Sequence, residues 1–169
     1  MQLMHIMSSM DVNKKKKLQW VCFVAYLLFL SYLLFFSSDF GRTEREEEYR
    51  YNLTLFQEIG RYYGLGMKRG VWYPFILNVC GNIAVFIPVG IFLPTLIKKC
   101  KNIFFTTLLS LEISLLVEIV QLATRVGSFD VDDLLLNTVG GVLGYVIFYC
   151  WSRNKKNPAK PVKNKKCKK

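Results

Sequence analysis

The chain has 169 residues, of which 52% are hydrophobic and 15% aromatic, and its net charge is +11. Long uncharged apolar runs in so short a chain indicate a small integral membrane protein and exclude a fold built around a water-soluble core. The five cysteines form no C-x-x-C pair, so neither a disulfide framework nor a zinc site is indicated. We expect no bound metal and no cofactor.

Four apolar segments follow one another along the chain. They are residues 18–36, 75–97, 103–123 and 134–151. Each reaches or approaches the roughly 20 helical residues that cross a hydrocarbon core about 30 Å thick. Because backbone groups in lipid must be paired within their own segment, the sequence predicts an all-α fold, an integral membrane bundle of four transmembrane helices.

The charges between these segments predict the orientation. Lysines precede the first segment, the turn KKCKN joins the second and third, and nine Lys or Arg residues without an acid follow the fourth. The two remaining connections are balanced, with six basic and six acidic residues, or acidic, with one Arg and three Asp. By the positive-inside rule, we expect both termini of this multi-pass protein to lie in the cytoplasm.

The two ends of the chain flank one membrane domain, residues 18–152. Residues 1–17 form a basic cytoplasmic N-terminus, and the competing interpretation, a cleaved signal peptide, is disfavoured by the length of the first apolar run and by the lack of an A-x-A-like site. The Lys-rich tail, residues 153–169, is predicted to be disordered and to lie on anionic lipid. Aromatic residues do not alternate with its lysines, so we predict no binding to nucleic acid.

The first outer loop, residues 37–73, has two interpretations. Tyr49, Leu53, Phe56, Ile59 and Tyr63 share one side at helical spacing. A short helix in the outer membrane interface would explain that pattern, and a solvated loop is the alternative.

The second apolar segment carries polar residues and prolines. Asn78 and Asn82 are four apart and therefore lie on one helical face. Pro88 and Pro94 lie within the same segment, where each disrupts a backbone hydrogen bond and favours a kink.

The third segment carries two glutamates. Glu118, Gln121 and Arg125 are spaced by three and four residues, so they form one stripe toward the outer end of the helix. A carboxylate in a bilayer costs a few kcal/mol and is a functional site by default. Glu112, away from this stripe and nearer the middle of the segment, is predicted to be protonated or paired with another helix.

The fourth segment follows Asp130, Asp132 and Asp133, which are favourable near a helix N-terminus. Four further residues lie on the same face of this helix as Asp133: Asn137, Gly140, Gly141 and Gly144. Glycines spaced in this way let another helix approach closely. We expect the stripes of the three segments to form one polar cluster near the outer leaflet, with Arg125 neutralising part of the acidic turn. A purely structural, tightly paired cluster is the alternative.

Several spaced motifs carry a resemblance to a known family. They are NVCGNIAVFIPVG at 78–90, E-x-x-Q-x-x-x-R at 118–125 and FDVDDLLLNTVGGVLG at 129–144. With them the chain, from about residue 27 to 151, resembles the VanZ-like family of bacterial membrane proteins. The loop sequence NLTLF at 52–56 is similar to the family's N-L-x-P-F, with Leu55 in place of the proline.

The resemblance implies a cytoplasmic-membrane protein of Gram-positive bacteria, in a family whose named member is associated with resistance to the glycopeptide teicoplanin. It implies no reaction. The matching residues are Asn78, Asn82, Pro88, Gly90, Glu118, Gln121, Arg125, Asp130, Asp133, Asn137, Gly140, Gly141 and Gly144.

Three functions are compatible with these observations. The first is a non-enzymatic envelope protein whose partners are membrane lipids and a lipoglycopeptide or lipid-linked cell-wall intermediate. The second is an enzyme for a lipid-linked or phosphate-bearing substrate, with Glu118 or Asp133 as general base, Arg125 as clamp and the aspartates as Mg²⁺ ligands. The third is a small proton-coupled or ion-conducting protein in which Glu112 and Glu118 are relay sites.

Overall fold

The computed structural model describes the backbone at residues 2–36 and 49–156, and side chains at 13–32 and 49–154. In these parts the fold is helical, as predicted. The helices are α1 (Gln2–Phe36), α2 (Gln57–Arg69), α3 (Tyr73–Leu96), α4 (Ile103–Thr124) and α5 (Val131–Lys156), with a 3₁₀ helix at Lys98–Lys101 between α3 and α4. The predicted disordered tail beyond residue 156 and the loop at 37–48 lie outside the described residues.

Three helices are long and apolar enough to cross a membrane, within the part of the chain that the structure describes. They are α3, α4 and residues Val131–Asn154 of α5. Three apolar spans in a chain of this size make it a membrane protein. The first predicted segment, 18–36, forms the second half of α1. Its crossing of the membrane, and the cytoplasmic location of both termini, stay predictions.

Local sequence signals explain where the helices begin and end. The Asn102 side chain accepts a hydrogen bond of 2.9 Å from the Phe104 amide, which caps α4. Arg125 ends α4 in the left-handed conformation, with φ 57°. Helix α5 begins at Val131, three residues before the predicted apolar segment, because Asp132 and Asp133 occupy its first turn.

Glycines bring α3 and α5 into close contact. A methyl group added at Gly90 would lie 1.9 Å from the Gly141 carbonyl oxygen, and one added at Gly144 would lie 2.0 Å from the Ile87 carbonyl oxygen. Gly140 packs in the same way on Ile83. The two backbones therefore touch along the glycine stripe of α5, as in other membrane helix pairs with small residues at this spacing.

Helix α1 packs on the outside of this pair. Phe23 and Leu30 join the apolar core that α3 forms with Phe86, Val89 and Leu93. The Tyr26 hydroxyl donates a hydrogen bond to the carbonyl oxygen of Val85. Pro94, which is buried, and Pro88, which is half-buried, both lie inside α3, and the helix continues through them to Leu96.

The loop at 37–73 contains the short helix α2, so of the two interpretations left open the structure shows a helix, from Gln57 onward. Of the five residues expected on its apolar side, Ile59 and Tyr63 lie in the helix. The others precede it because Tyr51–Asn52 forms a short strand and Phe56 turns the chain with φ 64°. Whether α2 lies at a membrane interface stays a prediction.

Two short strands join the loop to the acidic turn. Strand β1 (Tyr51–Asn52) pairs in parallel with β2 (Phe129–Asp130), with Tyr51 opposite Phe129 and Asn52 opposite Asp130. The Phe129 amide also donates to the Arg50 carbonyl oxygen at 3.0 Å. This ladder was not predicted from the sequence, and it holds the loop next to the start of α5.

Candidate functional site

A cluster of buried polar side chains lies where the beginnings of α2, α3 and α5 meet the end of α4. We call it the polar cluster. Its members are Asn78, Asn82, Glu118, Gln121, Asp130, Asp132, Asp133 and Asn137. All of them except Asn78 are at least nine-tenths buried. The lysine-rich 3₁₀ helix lies at the opposite end of α3 and α4.

Asp133 holds two helices together. Its Oδ1 atom accepts hydrogen bonds from Nδ2 of Asn82 at 2.5 Å and from Nδ2 of Asn78 at 3.2 Å. The spacing of four residues places both amides on the side of α3 that faces α5. Hydrogen bonds to a carboxylate are stronger than those between neutral groups, so this contact fixes the register of α3 against α5.

Glu118 and Asp130 join the end of α4 to the turn before α5. Oε2 of Glu118 accepts a hydrogen bond of 3.0 Å from the backbone amide of Asp130. Oδ1 of Asp130 accepts one of 2.8 Å from the backbone amide of Asp132 and one of 3.1 Å from Nδ2 of Asn52. The pKa of the Asp130 carboxyl group is raised to about 6, mainly by burial and also by the nearby carboxylates of Asp132 and Glu58, while the two hydrogen bonds oppose the shift.

Asp132 caps a helix that lies more than 70 residues earlier in the chain. Its Oδ1 accepts from the amide of Phe56 at 2.5 Å, and its Oδ2 from the amides of Glu58 at 3.0 Å and Ile59 at 3.2 Å. These amides have no partner within α2, since they belong to its first turn. Asp132 therefore stands at two helix N-termini, that of α5 and that of α2, where negative charge is favourable.

Asn137 extends the polar cluster toward the middle of the bundle. Its Nδ2 donates to Oγ of Ser114 in α4 at 3.0 Å, while its own Oδ1 makes no hydrogen bond with a described residue. Ser110, one turn from Ser114, packs against Gly141. The polar side of α4 thus continues to face α5 nearer the middle of the bundle, away from the acidic turn.

The side chain of Arg125 lies over an aromatic ring. Its guanidinium carbon is 4.4 Å from the centre of the Tyr49 ring, a cation–π contact. The sequence placed Arg125 on one stripe with Glu118 and Gln121 and beside the acidic turn, and it gave no indication of this contact. Tyr49 was instead placed on the apolar side of a predicted helix in the loop at 37–73.

A cavity of about 350 Å³ opens beside the polar cluster, between strand β1 and the start of α2. Its lining includes Arg50, Asn52, Gln57, Glu58 and Asp130. The wall is therefore polar, with two carboxylates and one guanidinium group. Such a wall suits a hydrogen-bonding head group better than an acyl chain.

Sequence reasoning missed three residues that the structure brings into this region: Asn52, Glu58 and Ser114. Asn52 stood in the NLTLF motif, which was a usable signal. No signal in the sequence indicated Glu58 or Ser114, because a contact between distant segments produces no periodic pattern in the residues around it.

The three aspartates of D-x-D-D point to different partners, namely Asn52, the first turn of α2, and the asparagines of α3. Among the described residues, no group of three His, Cys, Asp or Glu side chains is placed to hold a metal ion.

The chain is thus a small membrane protein with three candidate spans and a buried polar cluster at one end of them. The VanZ/LLP1 family matches residues 23–152, which is most of the chain. The protein belongs to this family. No curated protein and no solved structure matches the chain.

Proposed function

We propose that this VanZ/LLP1 family member is a non-enzymatic protein of the cell envelope that lowers the effect of teicoplanin-type lipoglycopeptides. It acts by binding a lipid-anchored molecule through the polar cluster, which we place near the outer leaflet of the cytoplasmic membrane. The bound molecule is the drug itself, a membrane lipid or a lipid-linked cell-wall intermediate. Family membership supports the envelope role, and the expectation of Gram-positive origin comes with it.

One observation carries the choice of site: the polar cavity adjoins a buried carboxylate, Asp130, whose pKa is raised to about 6. A buried carboxyl group with a raised pKa is stabilised in its ionised form by a ligand that donates a hydrogen bond or carries a positive charge. Sugars and amines of an envelope glycolipid or of a glycopeptide offer both. The apolar part of such a ligand would remain in the adjacent lipid.

The metal-dependent enzyme is less well supported by the geometry. The oxygens of Asp130, Asp132 and Asp133 accept hydrogen bonds from three different segments, so they do not converge on one point. The proton relay is also less well supported, because Glu112 is exposed while Glu118 is buried on another side of α4. The two glutamates therefore do not line a common path.

The proposed function is tested by deleting and overexpressing the gene in its host and comparing teicoplanin with vancomycin, which lacks the lipid tail. We expect deletion to increase, and overexpression to decrease, the sensitivity to teicoplanin, with a smaller effect or none for vancomycin. Equal sensitivity of all strains to both drugs would contradict a role in resistance to either drug.

A further inference from the structure

Helix α4 has two faces of opposite character. The buried face, which packs in the bundle, carries small or polar residues: Thr106, Ser110, Ser114, Glu118 and Gln121. The exposed face carries large apolar residues: Phe105, Leu108, Leu115, Leu116 and Ile119. In the centre of this apolar face lies one charged residue, Glu112, which is exposed. At 100° per residue it points almost directly away from Ser110 and Ser114.

Glu112 lies far from both ends of the span. It is nine residues after Ile103 and twelve before Thr124. At 1.5 Å per residue these separations are about 14 Å and about 18 Å, which places the carboxyl group near the middle of the hydrocarbon. Its short side chain does not reach either interface. A carboxyl group there costs a few kcal/mol unless another polar group pairs with it.

The described part of the chain offers Glu112 no such partner. No hydrogen bond or ion pair joins it to another described residue. The basic residues at the ends of the three described spans are Lys98, Lys99, Lys101, Arg125 and Arg153. None lies at the depth of Glu112, so the partner is expected to come from another molecule.

We propose that two copies of this protein associate through the exposed faces of α4, with the two Glu112 side chains hydrogen-bonded to each other. Both copies have the same orientation in the membrane, so their α4 helices run parallel and present Glu112 at the same depth. A carboxyl group is self-complementary, because a protonated one donates to a second one that accepts. No basic side chain of a second copy's described spans competes for that position.

The spacing of the apolar residues fits the same arrangement. Phe105, Leu108, Glu112, Leu115 and Ile119 follow one another in steps of three and four residues. This is the seven-residue repeat of helices that cross at about 20° in a left-handed pair. Leucine and isoleucine side chains above and below Glu112 then shield the paired carboxyl groups from lipid. The pair accounts for a polar group that the single chain leaves exposed.

Energy transfer in liposomes tests this proposal. Full-length copies carrying a donor or an acceptor dye are reconstituted together in vesicles of phosphatidylethanolamine and phosphatidylglycerol. Energy transfer between the dyes is measured at increasing ratios of lipid to protein. We expect transfer to persist on dilution for the wild type. Glu112→Leu is expected to weaken association roughly tenfold, as loss of an interhelical hydrogen bond of about 1–2 kcal/mol would. Glu112→Gln should retain most of it, since amides also pair.

Two further variants separate the paired face from its surroundings. Ile119→Ala, on the same face as Glu112, should weaken association, whereas Leu111→Ala, about a quarter turn away, should not. A wild type that is monomeric at every dilution would overturn the proposal, and so would Glu112→Leu that associates as well as the wild type. Circular dichroism of each variant checks that its helices are intact. These results do not depend on drug resistance, so the proposed function is tested separately.

Discussion

Asp130 shows how the polar cluster balances opposing effects on a single side chain. Two hydrogen bonds, from Asn52 and from the Asp132 amide, favour its charged form. Burial and the neighbouring carboxylates oppose it more strongly, which raises its pKa from 3.8 to about 6. The folded protein therefore holds this proton more tightly than the unfolded chain does.

This shift predicts a pH-dependent stability. Because the folded-state pKa is the higher one, the free energy of unfolding should fall as pH rises from about 4 to about 6, by roughly 3 kcal/mol from this residue. Asp130→Asn keeps an oxygen that accepts both hydrogen bonds but has no proton to lose. Thermal unfolding of the two proteins between pH 4 and pH 8 should show that the wild type loses stability as the pH rises and that the variant does not. Parallel curves for the two proteins would contradict the assignment.

The start of helix α2 depends on a carboxylate from α5. Asp132 accepts hydrogen bonds from the amides of Phe56, Glu58 and Ile59, which would otherwise face the solvent or the protein interior unpaired. Asp132→Ala should destabilise α2 by about 0.5–2 kcal/mol, as loss of other N-terminal caps does. Hydrogen exchange should become faster in the first turn of α2 and stay unchanged in the middle of α3. Unchanged protection of α2 would contradict the capping role.

A second prediction concerns the close contact between α3 and α5. Gly90→Ala would place its methyl group against the Gly141 backbone, which cannot move away as a flexible side chain can. We expect a loss of stability of about 1–3 kcal/mol, measured by unfolding in mixed detergent. Gly64→Ala is the matched control, because nothing lies within 4 Å of its added methyl group. That substitution should be neutral or stabilise α2 by up to about 1 kcal/mol. Equal effects of the two substitutions would contradict the close approach of the helices.

For the whole molecule, the sequence predicted the parts of the fold that follow from local periodicity. Hydropathy located α3, α4 and α5, because a span of lipid requires a continuous apolar run. The four-residue spacing of Asn78 and Asn82 indicated one polar face, and the structure turns that face toward Asp133.

Contacts between distant segments were not predictable in this way. The pairing of Asn52 with Asp130, and the capping of α2 by Asp132, join residues 73 or more positions apart. Neither leaves a repeat in the sequence. The direction of Glu112 was also open, since a carboxyl group in a helix is compatible with an internal or an external partner.

We propose that function resides in the polar cluster, and α4 provides a matched pair of substitutions to test this proposal. Glu118→Gln replaces a carboxyl group inside the cluster with an amide but keeps an oxygen that can accept from the Asp130 amide. Glu112→Gln makes the same chemical change in the same helix, on the exposed face. The measurement is the teicoplanin sensitivity of cells that contain each variant at equal membrane abundance. We predict that Glu118→Gln abolishes protection while Glu112→Gln largely retains it. Protection by Glu118→Gln equal to that of the wild type would contradict a functional role of the polar cluster.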